Sequence, residues 1–301
     1  MSVTKPITHW ASMAPSGQIW LDLAGMDDAA RQNLSAVEDG WLWILGSHAC
    51  TRAKLTKNDD DIIDLAELAA MRPMPARAVV ARAPLVDDAQ GYALPVARDG
   101  DRVAGLVKQT TNGNRLAVAL ARHPLLGKFV GIPAKEGGVD IEGIAVAGDR
   151  IALGLRGPTL GGHAAILETK VRPKRSGRLK MVGELSVRLL ALEGLAVRDL
   201  KRDGDDLLIL RGPTTAVSGP CSLWRWRGWV GDPPRDLAKV RLHRPDWIMD
   251  IPHGRGNDNP KGLALFGEPE RGVVILLDSP LPSRFEGTRL SIDFFALPTL
   301  A

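Results

Sequence analysis

Cysteine and long apolar runs are scarce in this sequence, and each scarcity excludes a class of protein. Two cysteines occur among 301 residues, Cys50 and Cys221, so the chain has neither a disulfide framework nor a cysteine cluster for zinc. No stretch approaches the roughly 20 apolar residues of a membrane helix, and the first ten residues lack the apolar run of a secretory signal. We therefore expect a cytoplasmic protein with no membrane partner.

Familiar catalytic signatures are also missing. The sequence has no GxSxG, HExxH or kinase motif set, and its glycine-rich stretch at residues 253–257 fits neither the GxGxxG nor the P-loop spacing. The net charge is only +4. One basic cluster lies at residues 170–180, but it has no aromatic residue for base stacking. We expect a solvated hairpin tip there, and the sequence does not favour nucleic acid as a partner.

Glycine and proline, by contrast, are abundant, with 32 and 21 copies. Both residues destabilise helix interiors, whereas proteins built from many short strands and turns accommodate them. The composition therefore indicates an all-β protein. No low-complexity linker divides the chain, so we expect one domain over residues 1–301.

A repeated unit carries most of the information in the sequence. Each copy has a short apolar strand, a turn with glycine or acidic residues, a second apolar strand and a polar exit, which is typical of a β-hairpin. Clear copies begin near residues 141, 192 and 260, and a fainter one near residue 34. The spacing of about 50 residues between the two central copies matches a propeller blade. We predict a single β-propeller of five or six blades, with a degenerate unit inside the longest gap.

Several segments between the copies fit this architecture. Residues 18–22 are expected to add the strand that closes the ring, and Trp224 and Trp226 alternate with arginines as in a strand packed between blades. Residues 58–72 have acidic residues followed by helical apolar spacing, so they predict a short helix inserted in a loop. Further strands are predicted at residues 78–86, 116–120, 163–171, 221–228 and 290–297.

Candidate functional residues lie near the start of each repeat, because the innermost strand of a blade lines the central channel of a propeller. These residues are Glu142, Glu193, Lys261 and, in the fainter copy, Ser35. Glu142 and Glu193 are candidate ligands for a divalent cation such as calcium, or candidate catalytic acids and bases. A structural glutamate–lysine ion pair across the channel is the alternative.

Two arginines and a histidine leave the second strands of their repeats. Arg156 and Arg211 stand in the same motif, Arg-Gly-Pro-Thr, where a forked guanidinium can bind an anion. The alternative is that each arginine pairs with the glutamate of its own repeat. His48 occupies the corresponding place in the fainter copy and is a candidate acid or base beside an anionic ligand.

A series of short motifs resembles, in order, the bacterial family catalogued as domain of unknown function 3616. They lie at residues 46–48, 82–86, 140–143, 154–158, 194–200, 212–214 and 278–280. The resemblance covers about residues 33–297 and implies a β-propeller-like fold with no established activity. The repeat is more distantly similar to that of esterase-like phytase propellers.

This sequence departs from the family pattern at two places. Lys261 stands where the family has an acidic residue, and residues 33–36 replace an Asp-Ile-Glu-Gly stretch. If the shared carboxylates of the family bind a metal, this chain has lost part of the set.

Two functions stay open at this point. The first is a propeller that binds an anionic or polar small ligand at one channel mouth, with hydrolysis of a phospho- or carboxy-ester as its enzymatic form. Its predicted catalytic residues are Glu142, Glu193 and His48, and its predicted ligand contacts are Arg156, Arg211 and Lys261. The alternative is a non-catalytic scaffold that binds a protein partner at loops such as residues 170–180.

Overall fold

The computed structural model describes residues 15–22, 34–52, 62–72, 74, 77–89, 91–111, 113–215, 217–234, 238–254, 258–267 and 271–298. Its strands are β1 (Gly17–Asp22), β2 (Leu34–Glu38), β3 (Trp41–Leu45), β4 (Thr51–Arg52), β5 (Met71–Arg72), β6 (Val80–Asp87), β7 (Ala93–Pro95), β8 (Arg98–Asp99), β9 (Arg102–Val103), β10 (Gly105–Leu106), β11 (Gln109–Thr110), β12 (Gly113–Asn114), β13 (Asp140–Ala147), β14 (Arg150–Gly157), β15 (Ala164–Pro173), β16 (Leu179–Leu190), β17 (Ala196–Asp203), β18 (Asp206–Gly212), β19 (Cys221–Trp226), β20 (Leu242–His243), β21 (Asp246–Ile251), β22 (Asn259–Phe266), β23 (Gly272–Asp278), β24 (Phe285–Glu286) and β25 (Arg289–Ala296).

Helices are few and short. The α-helices are α1 (Leu65–Ala69) and α2 (Arg115–Arg122), and 3-10 turns lie at Gly127–Phe129, Ala134–Glu136 and Pro282–Arg284. None of the described helices has the length and hydropathy needed to span a membrane.

Four sheets of consecutive antiparallel strands make up the blades of a propeller-like fold. From the inner strand outwards, blade 1 is β2-β3-β6-β10, blade 2 is β13-β14-β15-β16, blade 3 is β17-β18-β19-β21, and blade 4 is β22-β23-β25-β1. The inner strands follow one another around the axis, since β2 contacts β13, β13 contacts β17, and β17 contacts β22. The all-β prediction is confirmed.

The blade number differs from the sequence expectation. The four sheets start at the four repeat copies, and the described residues do not confirm the five or six blades that we predicted. The segment expected to hold a degenerate blade includes α2, so the strand predicted at residues 116–120 is wrong. There Leu116 and Leu120, one helical turn apart, are both buried, and the Asn114 side chain caps the helix by accepting the backbone N–H of Ala117.

Other elements agree with the sequence more closely. β1 pairs along its whole length with β25, so the early strand completes blade 4, as predicted. The helix expected within residues 58–72 forms at α1, where Asp64 is the N-cap. Residues 58–61 lie outside the described residues.

The core lies between the blades. One cluster of buried side chains joins blades 1 and 2, a second joins blades 2 and 3, and a third joins blades 3 and 4. Trp224 and Trp226 belong to the second cluster, where they pack with Ile166 of the neighbouring blade. The predicted packing of these tryptophans between blades is confirmed.

Candidate functional site

Three of the inner strands contain a β-bulge near their first residues, and a charged residue occupies each bulge. The pairing with the second strand of the blade skips Glu142 in β13, Arg198 in β17 and Lys261 in β22. A bulge changes the direction of a side chain and leaves its residue outside the regular ladder. The three residues therefore occupy equivalent places in three successive blades. β2 pairs with β3 without such an irregularity.

Glu142 lies between two guanidinium groups. Its Oε1 is 3.1 Å from Nη1 of Arg156, and its Oε2 is 3.2 Å from Nη1 of Arg198. Arg156 in turn places Nη2 2.5 Å from Oδ2 of Asp140. The side chain of Glu142 is buried, and its charge is compensated by an arginine on each side. Glu142 and Arg156 therefore form the ion pair within one repeat that the sequence offered as the alternative to a ligand site.

Glu193 and Arg211 form a separate pair. Nη1 of Arg211 is 2.6 Å from Oε2 of Glu193, and Nε of Arg211 is 2.5 Å from Oγ of Ser222. Glu193 lies in the turn before β17, with φ at +54°, and its side chain is largely exposed. Aligning the repeats by sequence makes Glu193 equivalent to Glu142. The strand pairing shows that this is wrong, because Arg198 and not Glu193 occupies the bulge that corresponds to Glu142.

Lys261 lies on the same side of the ring as the Glu142 network. Its Nζ is 3.5 Å from Oδ2 of Asp278, at the end of β23. Burial raises the pKa of Asp140 to about 6, and the positive charges of Arg156 and, more weakly, Lys261 oppose this rise. The carboxyl of Asp140 therefore senses charges from blades 2 and 4.

His48 is held by structural contacts. Its Nδ1 is 2.7 Å from the carbonyl oxygen of Gly46, and its Nε2 is 3.3 Å from Oδ1 of Asn114, the residue that caps α2. Burial lowers the pKa of the imidazole. His48 is not among the residues that line the cavity beside Arg156 and Arg198.

A cavity of about 180 Å³ opens where the first residues of β17 and β22 meet the end of β14 and the loop that follows β18. Arg156 and Arg198 both line it, and the Nε atom of each is buried without a hydrogen-bond partner among the described residues. Its other polar and charged lining residues are Lys135, Thr215, Ser218, His253, Asn259 and Asp278. The cavity is thus lined by two guanidinium groups, each with one buried N–H donor that has no partner among the described residues.

The predicted residues divide into three groups. Glu142, Arg156 and Lys261 belong to the cavity or pair with residues that line it, Glu193 and Arg211 contact each other, and His48 contacts Asn114. Among the described residues, no three or more histidines, cysteines, aspartates or glutamates are grouped so as to hold a metal ion. A calcium site on Glu142 and Glu193 stays a prediction.

Sequence reasoning missed Arg198 and Lys135. Arg198 is a buried charged residue near the start of β17, directly after the apolar Ala196 and Val197. A charged residue in an inner strand was the available signal. Lys135 lies in a 3-10 turn between blades 1 and 2, and its sequence surroundings contain no comparable signal.

Comparison with known proteins gives one match. The family model described as "Protein of unknown function (DUF3616)" matches residues 21–293. No curated protein and no solved structure shows a significant match.

Proposed function

The chain belongs to the DUF3616 family, and we propose that it binds a small anionic ligand in the cavity lined by Arg156 and Arg198. One observation carries this proposal: the guanidinium groups of Arg156 and Arg198, from neighbouring blades, line one cavity, and the buried Nε donor of each has no partner among the described residues. Buried donors without partners are costly. A carboxylate or phosphate accepts several N–H bonds at once and would satisfy them.

The charges around the cavity favour an anion. Lys135, Arg156 and Arg198 line it against a single described carboxylate, Asp278, which is itself paired with Lys261. Asp140 and Glu142 together pair with these two arginines, so the excess positive charge at the cavity comes from Lys135. The volume of about 180 Å³ is below the roughly 300–1,000 Å³ of drug-sized sites. The ligand is therefore a small anion or the charged head of a larger molecule.

The arrangement favours binding over ester hydrolysis. A hydrolase needs a group that activates water beside the bound ester. Asp278 is paired with Lys261, and Glu142 is paired with two arginines, so these two carboxylates are poor general bases. We expect no turnover of simple phosphate and carboxylate esters, and an assay with nitrophenyl phosphate and nitrophenyl acetate checks this. Rapid hydrolysis that depends on Asp278 would instead support the enzymatic form.

Titration calorimetry with inorganic phosphate and with malonate tests the binding proposal. Lys135 is exposed and forms no ion pair with a described residue, so Lys135→Ala should preserve the fold and weaken binding about 3- to 10-fold. The matched control is Lys128→Ala, because Lys128 is exposed in the preceding 3-10 turn and does not line the cavity.

A second variant removes a central contact while keeping the local charge balanced. The double substitution Glu142→Gln with Arg198→Gln should lower the affinity by tenfold or more, which corresponds to the roughly 1.5–3 kcal/mol of a hydrogen bond to a charged group. If the wild type binds neither anion, or if both altered proteins bind as tightly as wild type, the proposal is wrong.

A further inference from the structure

A larger concavity, which shares no lining residue with the cavity of Arg156 and Arg198, lies between α2 and the hairpin of β15 and β16. This groove, which we call the α2 groove, has a volume of about 860 Å³. Its apolar lining comes from Val107, from Val118 and Ala119 of α2, and from Leu179, Met181 and Leu185 of β16. The size and the apolar lining are those of a binding site rather than of a packing defect.

The rim of the α2 groove is strongly basic. Its cationic lining residues are Lys108, Arg115, Arg122, Lys174, Arg178 and Lys180, and its one acidic lining residue among the described part of the chain is Glu184. All six cationic residues are exposed.

These six side chains differ from their neighbours in lacking carboxylate partners. None of them forms an ion pair with a described residue, whereas Lys170 and Arg172 of the same hairpin both pair with Asp149. Six like charges around one groove repel one another, and an anionic occupant relieves that repulsion. Charge complementarity therefore calls for a partner with several negative charges.

An open strand edge points to a polypeptide. On the side away from β15, β16 pairs in parallel with β20 at Leu189 and Leu190, and an isolated bridge joins Leu179 to Val107. Between these points, residues 180–188 have no described strand on that side, residues 183–185 bulge out of the pairing with β15, and most of residues 180–185 line the α2 groove. An open strand edge offers backbone N–H and C=O groups, which another chain recognises by adding alongside.

We propose that the α2 groove binds an acidic segment of a partner protein, whose carboxylates contact the six cations and whose apolar side chains cover the floor. The alternatives fit less well. Single-stranded nucleic acid needs aromatic platforms for its bases, and no described residue lining the groove is a phenylalanine, tyrosine or tryptophan. A membrane surface would contact convex basic patches, whereas these charges surround a concave apolar floor.

Fluorescence anisotropy with a short labelled peptide, in which glutamate and leucine alternate, tests the proposal on the full chain. Lys174→Glu with Lys180→Glu should weaken binding by tenfold or more, because charge reversal at a rim raises the dissociation constant and reduces its salt dependence. The matched control is Arg175→Glu. Arg175 neighbours Lys174 at the exposed hairpin tip but does not line the groove, so this variant should stay within about twofold of wild type.

A third variant tests the floor without changing charge. Val118→Gln should weaken peptide binding about 5- to 20-fold, because it replaces a half-buried apolar contact with an amide. Circular dichroism confirms that each variant is folded.

The outcomes separate the possible occupants. Loss of peptide binding in the groove variants, with retention in Arg175→Glu and no binding of a glutamine–leucine peptide, supports the proposal. Equal losses in Arg175→Glu would reduce the effect to net charge and overturn it. The proposal is also wrong if the acidic peptide does not bind the wild type while a single-stranded oligonucleotide or phosphatidylserine vesicles do.

Discussion

The carboxylate of Glu142 in blade 2 lies 3.2 Å from the guanidinium of Arg198 in blade 3, and both side chains are buried at bulges of adjacent inner strands. The pair therefore connects the inner strands of two blades. Because an ion pair needs its two groups at a defined distance, it also fixes how these strands align, which apolar contacts alone would not do. Both residues also set the charge of the Arg156 cavity. The same contact thus contributes to stability and to ligand recognition.

Breaking this pair from one side should destabilise the fold. Glu142→Gln leaves the buried Arg198 without its ion-pair partner, and such a change typically lowers the free energy of unfolding by about 3–5 kcal/mol. Urea unfolding followed by tryptophan fluorescence measures the loss. The double variant Glu142→Gln with Arg198→Gln should lose less than the sum of the single variants. Additive losses would contradict a direct interaction between the two side chains.

A glycine beside the pair sets how closely the two blades approach. A Cβ added to Gly143 would lie 2.8 Å from the backbone nitrogen of Leu200 and 2.9 Å from its Cγ. Because the first contact is with backbone, Gly143→Ala should cost about 1–3 kcal/mol of unfolding free energy. Gly267→Ala is the control, since a Cβ there meets nothing within 4 Å and the backbone φ is not positive. Equal stabilities for the two variants would contradict the close approach.

Strand pairs were predictable because their signals are local. In blade 2, near-continuous apolar residues in β13 and β14 flank a turn at Gly148, and in blade 3 a similar apolar run in β18 follows a turn at Gly204. Such runs bounded by turn residues identify hairpins whatever the rest of the fold does. The segment 116–120 misled because it is apolar at every position, which fits both a strand and a helix. The Asn114 cap and the spacing of Leu116 and Leu120 decided for the helix.

The site was less predictable because it depends on register. Arg198 faces Glu142 because the pairing of β17 with β18 skips this residue, whereas Glu193 lies before β17 and outside that pairing. This register arises from contacts between strands, and a single sequence does not record them. The exit arginines show the same limit. Arg156 and Arg211 share a motif, but the pairing skips Arg156 in β14, whereas Arg211 pairs with Val197.

The buried carboxylate of Glu168, between blades 2 and 3, accepts a hydrogen bond from the indole of Trp229. Nε1 of Trp229 donates a 2.6 Å hydrogen bond to Oε1 of Glu168, whose side chain is 1% exposed and 3.3 Å from Nε of Arg188. Trp229→Phe removes that donor and leaves a small void, so we expect a loss of about 2–4 kcal/mol in unfolding free energy. Trp247→Phe is the control because Trp247 is 56% exposed, and its cost should stay within about 0.5 kcal/mol. Similar costs for the two variants would contradict a structural role for the Trp229–Glu168 bond.

His243 should make stability fall on mild acidification. Its ring stacks on Trp226 with centroids 4.0 Å apart, and its Nδ1 is 3.8 Å from Oδ2 of Asp232. Burial lowers the pKa of the imidazole to about 4; the charges of Arg188 and Arg241 act in the same direction, and Asp232 opposes them. In the unfolded chain the pKa is about 6.5. Between these values the unfolded state binds a proton that the folded state does not.

The free energy of unfolding should therefore decrease as the pH falls from about 6.5 towards 4. His243→Phe keeps an aromatic ring against Trp226 and removes the titrating group, so its stability relative to wild type should improve between pH 7 and pH 5. Urea unfolding at both pH values measures this change, and an NMR titration reports the imidazole pKa directly. A pKa near 6.5, with a stability difference that does not change with pH, would show that the folded environment of His243 leaves the imidazole free to protonate.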